Sequence, residues 1–570
     1  MMAPLGDADA SSERTPLLDS SGEAFPSHLT KANLSPNDND HVATNDLERH
    51  RSHGSVDEAR AAQFKGNEDV AKQLKFIIPA IAVGVFLSAA DQFIIVSSYA
   101  KIGSDLEALN LTSWIATAYF LTLTSFQPLY GKLSDIFGRK TCLLFAYGIF
   151  GVGGLACGLA QDINQLIAAR VVQGIGGGGM TTVVSILISD IVPLRDRGVY
   201  QGFINIIYAT GAGAGAPIGG LLADRIGWRW SFLGQVPLCV AGFLALSILL
   251  KLPVRDDEKA WRAKLQRIDF LGAAVLVSAV FGMIFGLDRG SNLGSWSTPI
   301  TYTPISASIV LFGIFIYVEN NFAAEPFVPG HVVFDRFMIA CYLCNFFSFG
   351  GWLALLFYLP LFFQAVDGVS ATAASLRLIP SVLFGVSGSL AGGFIMRGTG
   401  KYYWLTVFAY CLLTLGSISF TLFTGILTNS TIGIVIGMCI CAFGNGVGVT
   451  TTLIGIIANA APEDQAVATA CSYLFRSLGS VIGISLETTV VNQVLRTQLE
   501  SRLGSGKEAE KIVEGVRRSL EYIKTLNPEV AVVVRECYGI ATRDGFVLMV
   551  LIVLGSAISA FFIRETRLSR

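Results

Sequence analysis

The chain has 570 residues, of which 52% are hydrophobic and 15% charged, and its mean hydropathy is +0.57. A soluble chain of this length would make about three or four domains with charge spread over their surfaces. Here uncharged apolar runs of about twenty residues, long enough to cross a bilayer, recur from Phe76 to Ile563. The net charge of −1 says nothing about partners, because the charges are gathered between the runs; no nucleic-acid partner is expected.

Residues 1–75 are rich in Ser, Asp, Asn, Glu and Lys and hold no run able to span, which reads as a disordered cytosolic tail. The first apolar segment lies too far from Met1 for a cleavable signal peptide. Inside the tail, Glu13 stands four positions before the pair Leu17-Leu18. That pattern resembles the acidic dileucine signal taken up by clathrin-type sorting adaptors.

Fourteen spans follow in chain order. The first six run near 76–98, 113–130, 141–160, 163–188, 202–222 and 230–250. A basic connector, Lys251 to Arg267, leads to a seventh near 270–287 and an eighth near 304–318. The rest lie near 339–362, 373–396, 403–425, 432–457, 466–491 and 546–563. The domains expected are therefore a tail (1–75), a six-helix bundle (76–250), a connector with two extra helices (251–338) and a second six-helix bundle (339–570). The last of these includes a long lumenal loop at 492–543.

With the N-terminus inside, the inner loops gather Lys251, Arg255, Lys259, Arg262, Lys264 and Arg267, as the positive-inside rule requires. The 492–543 segment is basic yet falls outside, which its length permits, because long segments translocate largely regardless of charge. The sequons at Asn110 and Asn429 both fall in outer loops and are possible glycosylation sites.

The decapeptide GKLSDIFGRK, Gly131 to Lys140, is wedged between two long apolar runs. Gly131 is expected to end one helix in a left-handed conformation and Gly138 to turn the chain back. Between them Asp135 can pair with Arg139, Lys140 or a neighbouring helix N-terminus. A topogenic loop would explain Lys132, Arg139 and Lys140, but not two glycines and an acid at fixed offsets.

Asp91 is a carboxylate deep in the first span, where a charge is costly and normally faces a water-filled cavity. Arg170 lies in the fourth span, in RVVQGIGGGG, with Gln173 one turn on. It keeps its proton at any ordinary pH, so it acts by its field and its hydrogen bonds. For both residues the structural alternative is a fixed buried ion pair. In the fifth span, Gly211, Gly215 and Gly219 recur every fourth residue, with Pro217 and Gly220 among them, giving a groove for a close neighbour. Cys341 and Cys344 have metal or redox spacing, but no second pair or His cluster accompanies them; they read as small buried hydrophobes. No metal or cofactor is expected.

The 131–140 decapeptide resembles the signature loop between helices 2 and 3 of the major facilitator superfamily, matching at Gly131, Leu133, Asp135, Gly138, Arg139 and Lys140. The sequence around Asp91 resembles the first-helix motif of the fourteen-span drug:proton antiporter branch, with Ala100-Lys101 where that motif ends in Leu-Pro. Arg170, Gln173, Gly174 and Gly176 match the helix-4 motif. GAGAGAPIGG resembles the helix-5 antiporter motif, with its proline shifted by one residue. WRWSFLGQVP, Trp228 to Pro237, looks like the opening of helix 6 in that branch. Gly392-Gly393 with Arg397 and Lys401 looks like a decayed second copy of the 131–140 loop. The first-helix sequence and Asp464 to Gly483, which contains Arg476, are similar to fungal vacuolar basic amino acid transporters.

The resemblance implies an all-helical membrane protein of two six-helix bundles and two extra central helices, working by alternating access about a midplane site. It implies proton-coupled antiport of basic amino acids from cytosol into the vacuole. Asp91, Arg170 and Gln173 would couple substrate and proton, with Glu487 the next candidate acid. The 131–140 loop would act as a conformational switch, and Glu13, Leu17 and Leu18 as the sorting signal of a monomer in the vacuolar membrane. A plasma-membrane drug or toxin exporter of the same fold is the main alternative, and a non-transporting sensor a remote one. No nucleophile triad, metal cluster or phosphate loop suggests an enzyme.

Overall fold

A chain in hydrocarbon must satisfy its own backbone, and a helix does so within one segment. The computed structural model describes residues 74–106, 113–250, 269–293, 296–321, 330–369, 371–504, 512, 515, 520–566 and 568. The tail with Glu13, Leu17 and Leu18, the sequon at Asn110 and the basic connector 251–267 lie outside the described residues. Among the described residues the structure is helical throughout, apart from one isolated β-bridge, Thr424 to Asn429. Asn429 is exposed in that short α-to-α turn.

The long helices are α1 (Leu74–Asp105), α2 (Ser113–Phe137), α3 (Arg139–Leu159), α4 (Ile163–Ile191), α5 (Leu194–Arg225), α6 (Gln235–Leu249) and α7 (Phe270–Leu293). They continue as α8 (Pro299–Asn321), α9 (Arg336–Ala365), α10 (Ile379–Thr399), α11 (Tyr403–Leu422), α12 (Thr431–Asn459), α13 (Gln465–Leu503) and α14 (Pro528–Ala560). Twelve of these regions are long and apolar enough to cross a membrane. Outside that set are α7, whose apolar stretch is only Leu271–Leu287, and α2, whose Thr122, Thr124, Ser125 and Gln127 are buried in the protein.

Helices α1 to α6 pack around Tyr147, Phe150, Met180 and Leu187 at one level and Cys157, Leu166, Trp228 and Phe232 at another. Helices α9 to α14 share a core containing Leu359, Phe362, Tyr410, Phe420 and Phe546. Between the halves, Leu276, Val280 and Ile284 of α7 pack with Leu121 of α2 and with Leu478 and Val481 of α13. Helix α8 lies on α7 through Phe315, while its Ile309, Val310 and Tyr317 are exposed, as a lipid-facing helix requires.

Three expectations change. Gly131 does not end a helix: α2 continues to Phe137, and Gly138, at φ 89°, is the residue that turns the chain. Gly131 is small for a different reason, because a Cβ there would lie 2.7 Å from the Cβ of Ala470 on α13. The fifth helix begins at Leu194, several residues before its apolar run, with Pro193 as its N-cap. The 492–543 segment is not mainly loop, because α13 runs to Leu503 and α14 starts at Pro528. At 1.5 Å per residue the 39 residues of α13 span about 58 Å, roughly twice the hydrocarbon core. The extra turns are amphipathic. Val491, Leu495 and Leu499 are buried at every fourth residue, Arg496 pairs with Glu500 at 2.7 Å, and Arg502 reaches Glu536 of α14 at 2.6 Å.

Candidate substrate and coupling site

Asp91 on α1 and Arg170 on α4 are 0% and 1% exposed and meet at 2.6 Å, Nη1 to Oδ2. The second carboxylate oxygen, Oδ1, accepts from Gln173 Nε2 and from Gln235 Nε2, both at 3.1 Å. Arg170 also donates to Gln173 Oε1 at 2.7 Å and to the Ile115 carbonyl at 3.2 Å. Its guanidinium lies 4.2 Å from the Tyr119 ring centre and 5.7 Å from that of Phe232. Three helices, α1, α4 and α6, thus meet at one carboxylate, whose charge is matched by one guanidinium and which accepts three hydrogen bonds. Asp91 is enclosed by protein in this conformation, not open to a cavity.

The glycines of these helices permit the approach. A Cβ on Gly211 or Gly215 of α5 would run into the carbonyl oxygens of Phe86 and Ala90 on α1, in the turns that lead into Asp91. Gly219 is buried, Gly220 half-buried, and Pro217 lies within α5. Gly176 presses on the Phe150 backbone of α3, where a Cβ would lie 2.5 Å from the amide nitrogen.

At the 131–140 loop, Arg139 bridges two acids, reaching Asp135 Oδ1 and Asp190 Oδ2 at 2.7 Å each, and donates to Ser134 Oγ at 2.6 Å. Lys140 donates to the Ser247 carbonyl at 2.7 Å, tying α3 to α6. Of the partners open to Asp135, the structure selects Arg139.

Sequence reasoning named Asp91, Arg170 and Gln173 but not Gln235 or Asp190. Gln235 was visible as a lone amide at the start of an apolar helix, and Asp190 as an acid ending the fourth. Glu487 lies elsewhere, on α13 beside Gly545 of α14; it is 0% exposed and neither oxygen has a hydrogen-bond partner among the described residues. Cys341 and Cys344 are both buried free thiols, the latter donating to the Ser556 carbonyl.

The sequence profile of the Major Facilitator Superfamily matches residues 81–484. The chain belongs to that superfamily. It is 37% identical over 492 residues to the vacuolar membrane amino acid uptake transporter fnx2 of Schizosaccharomyces pombe, covering 86% of this chain and 84% of that one. It is 38% identical over 480 residues to the multidrug resistance protein fnx1 of the same yeast, covering 84% and 90%. With the vacuolar basic amino acid transporter 2 of Saccharomyces cerevisiae it shares 34% over 463 residues, covering 78% and 96%. The fold is similar to that of the proton:xylose symporter XylE, with TM-score 0.53 and 15% identity over 87% of this chain and 97% of that one. The protein is thus a multi-pass membrane transporter of the major facilitator fold.

Contacts between the two halves gather at the end bearing the 131–140 loop. Gly131 of α2 abuts Ala466 and Ala470 of α13. Gly393 of α10 abuts Gly198 of α5, where a Cβ would lie 2.5 Å from the carbonyl oxygen. Asp196 pairs with Arg397 at 2.7 Å, and Arg197 donates to Gln465 at 3.3 Å. Deeper in, Asn205 donates to Ser389 at 2.8 Å and Ser477 to Gln127 at 3.0 Å. Gly393 and Gly131 thus each stand against a residue of the opposite half.

Proposed function

We propose that this transporter moves basic amino acids from the cytosol into the vacuole in exchange for protons, spanning the membrane fourteen times with its N-terminus in the cytosol. The buried Asp91–Arg170–Gln173–Gln235 network carries the reading. A proton on Asp91 cancels the charge that offsets Arg170, so it weakens the 2.6 Å pair and the packing of α1 on α4. A cationic substrate competes with the same proton for the same charge, and linkage makes the two mutually disfavouring. Lumenal acid would then load the proton and expel the cation, and the higher cytosolic pH would remove the proton. The names of fnx2 and of the Saccharomyces relative support the substrate class and the vacuolar site. The acidic dileucine at Leu17-Leu18 would direct the chain there as a monomer through a sorting adaptor.

The Arg139 bridge to Asp135 and Asp190 would serve as the switch, because it joins α2, α3 and α4 at the end where Gly131 meets the opposite half, and a shift of α2 on opening would break it. The test is uptake of labelled lysine and arginine into sealed vesicles with an acidic interior, with and without collapse of the pH gradient. The similarity to fnx1 supports a second reading, a multidrug exporter at the plasma membrane. Under it, cationic drugs would be carried and lysine would not, and a fluorescent fusion would mark the cell rim.

A further inference from the structure

We infer that Arg476 of α13 anchors the carboxylate of the transported amino acid, a deepening that rests on the amino-acid reading above. The side chain is 5% exposed, in the interior of the C-terminal half. Its Nε donates to Asn345 Oδ1 and its Nη2 to the Val449 carbonyl, both at 3.2 Å. The guanidinium carbon stands 5.1 Å from the Tyr473 ring centre and 5.4 Å from that of Phe349. Among the described residues no carboxylate pairs with it and Nη1 makes no hydrogen bond.

The contrast with the other half is chemical. Arg170, equally enclosed, has Asp91 at 2.6 Å, whereas Arg476 has only the neutral amide of Asn345 in the corresponding role. The buried acid on its own helix, Glu487, is eleven residues away, about 16 Å along the axis at 1.5 Å per residue and too far to pair. Arginine cannot shed its proton to relieve burial. An enclosed guanidinium without a counter-charge is costly, and a ligand carboxylate offsets that cost. The edge carrying Nη1 and the second Nη2 proton has the forked geometry that takes a carboxylate in two parallel hydrogen bonds.

The position also suits a substrate held between the halves. Ser477, the next residue, bonds to Gln127 of α2 across the seam. In the N-terminal half, Tyr208 of α5 donates to Gln92, the neighbour of Asp91. One wall thus offers an unmatched positive charge for the carboxylate. The other holds the acid for which a cationic side chain competes with the proton.

The experiment measures labelled lysine uptake by the reconstituted full-length protein, driven by an acidic interior, with unlabelled lysine, lysine methyl ester and cadaverine as competitors. The two analogues keep the side-chain ammonium and lack a free carboxylate. Lysine should compete, and the analogues should be about 10- to 100-fold weaker, the range set by a hydrogen bond to a charged group. Arg476→Gln should raise the KM for lysine by the same factor and erase the discrimination, while Arg476→Lys should recover part of it. Equal competition by cadaverine and lysine in the wild type would overturn the inference, as would an unchanged KM in a folded Arg476→Gln protein. If that variant does not fold, the wild-type competition series decides. Absence of any lysine or arginine uptake by the wild type would instead defeat the amino-acid reading, and the inference with it.

Discussion

Replacing Asp91 by Asn leaves the shape of the site nearly intact but strips Arg170 of its counter-charge. Because the pair is 0% and 1% exposed and 2.6 Å long, the loss should cost about 3–5 kcal/mol, the range for breaking a buried pair from one side. At about 1.4 kcal/mol per tenfold, that is roughly two to three and a half decades in any equilibrium between states that keep the pair and states that lose it. Removing both charges, with Arg170→Met added, should recover most of the loss. A residue of about 1–2 kcal/mol would remain for the Gln173 and Ile115 acceptors left without their donor. Thermal unfolding of the purified proteins gives the order: wild type most stable, double variant next, Asp91→Asn least. Transport should follow a different order, absent in both variants and partly kept in Asp91→Glu. Two results would refute the reasoning: a double variant no more stable than Asp91→Asn, or Asp91→Asn that still accumulates lysine under a pH gradient. The second would shift the coupling role towards Glu487.

The closed end makes its own predictions. Gly393→Val, whose Cβ would collide with the Gly198 carbonyl, and Gly131→Val, crowding Ala470, should each hold the two halves apart at the 131–140 end. Both should slow transport at least tenfold while raising labelling of a cysteine placed at Gln201, which is buried on α5 three residues after Gly198; unchanged labelling would contradict this. Asp135→Asn halves the carboxylate bridge to Arg139 and should slow switching more than it lowers stability, the bridge being partly exposed and worth about 1 kcal/mol or less. Normal turnover would reduce the loop to a topogenic signal. Leu17→Ala with Leu18→Ala should move a fluorescent fusion to the plasma membrane without altering uptake by the purified protein, and an unmoved fusion would remove the dileucine from the sorting account.

The sequence made the membrane helices legible because hydropathy reports directly on the solvent a segment needs. It was less informative where a helix leaves the bilayer. Residues 492–503 are polar on average, yet Leu495 and Leu499 form a buried stripe and Arg496–Glu500 a supporting pair, so the helix persists where hydropathy falls. Asp91 and Arg170 stood out singly, since charge in an apolar run is conspicuous; their pairing, across 79 positions, is a fact of packing. Gln235 and Asp190 were missed for the same reason, each being ordinary in its own helix and meaningful only beside its partner. Gly131 was read for its backbone freedom, whereas the structure uses its lack of a side chain.

The most direct test is lysine and arginine uptake by the purified full-length protein in proteoliposomes, with an acidic interior and a neutral exterior. Accumulation above equilibrium that stops when a protonophore collapses the gradient, with measurable loss of lumenal protons as substrate enters, is the result expected of a basic amino acid:proton antiporter. Accumulation that survives collapse of the gradient, or no uptake of either amino acid beside gradient-driven uptake of a cationic drug, would contradict it.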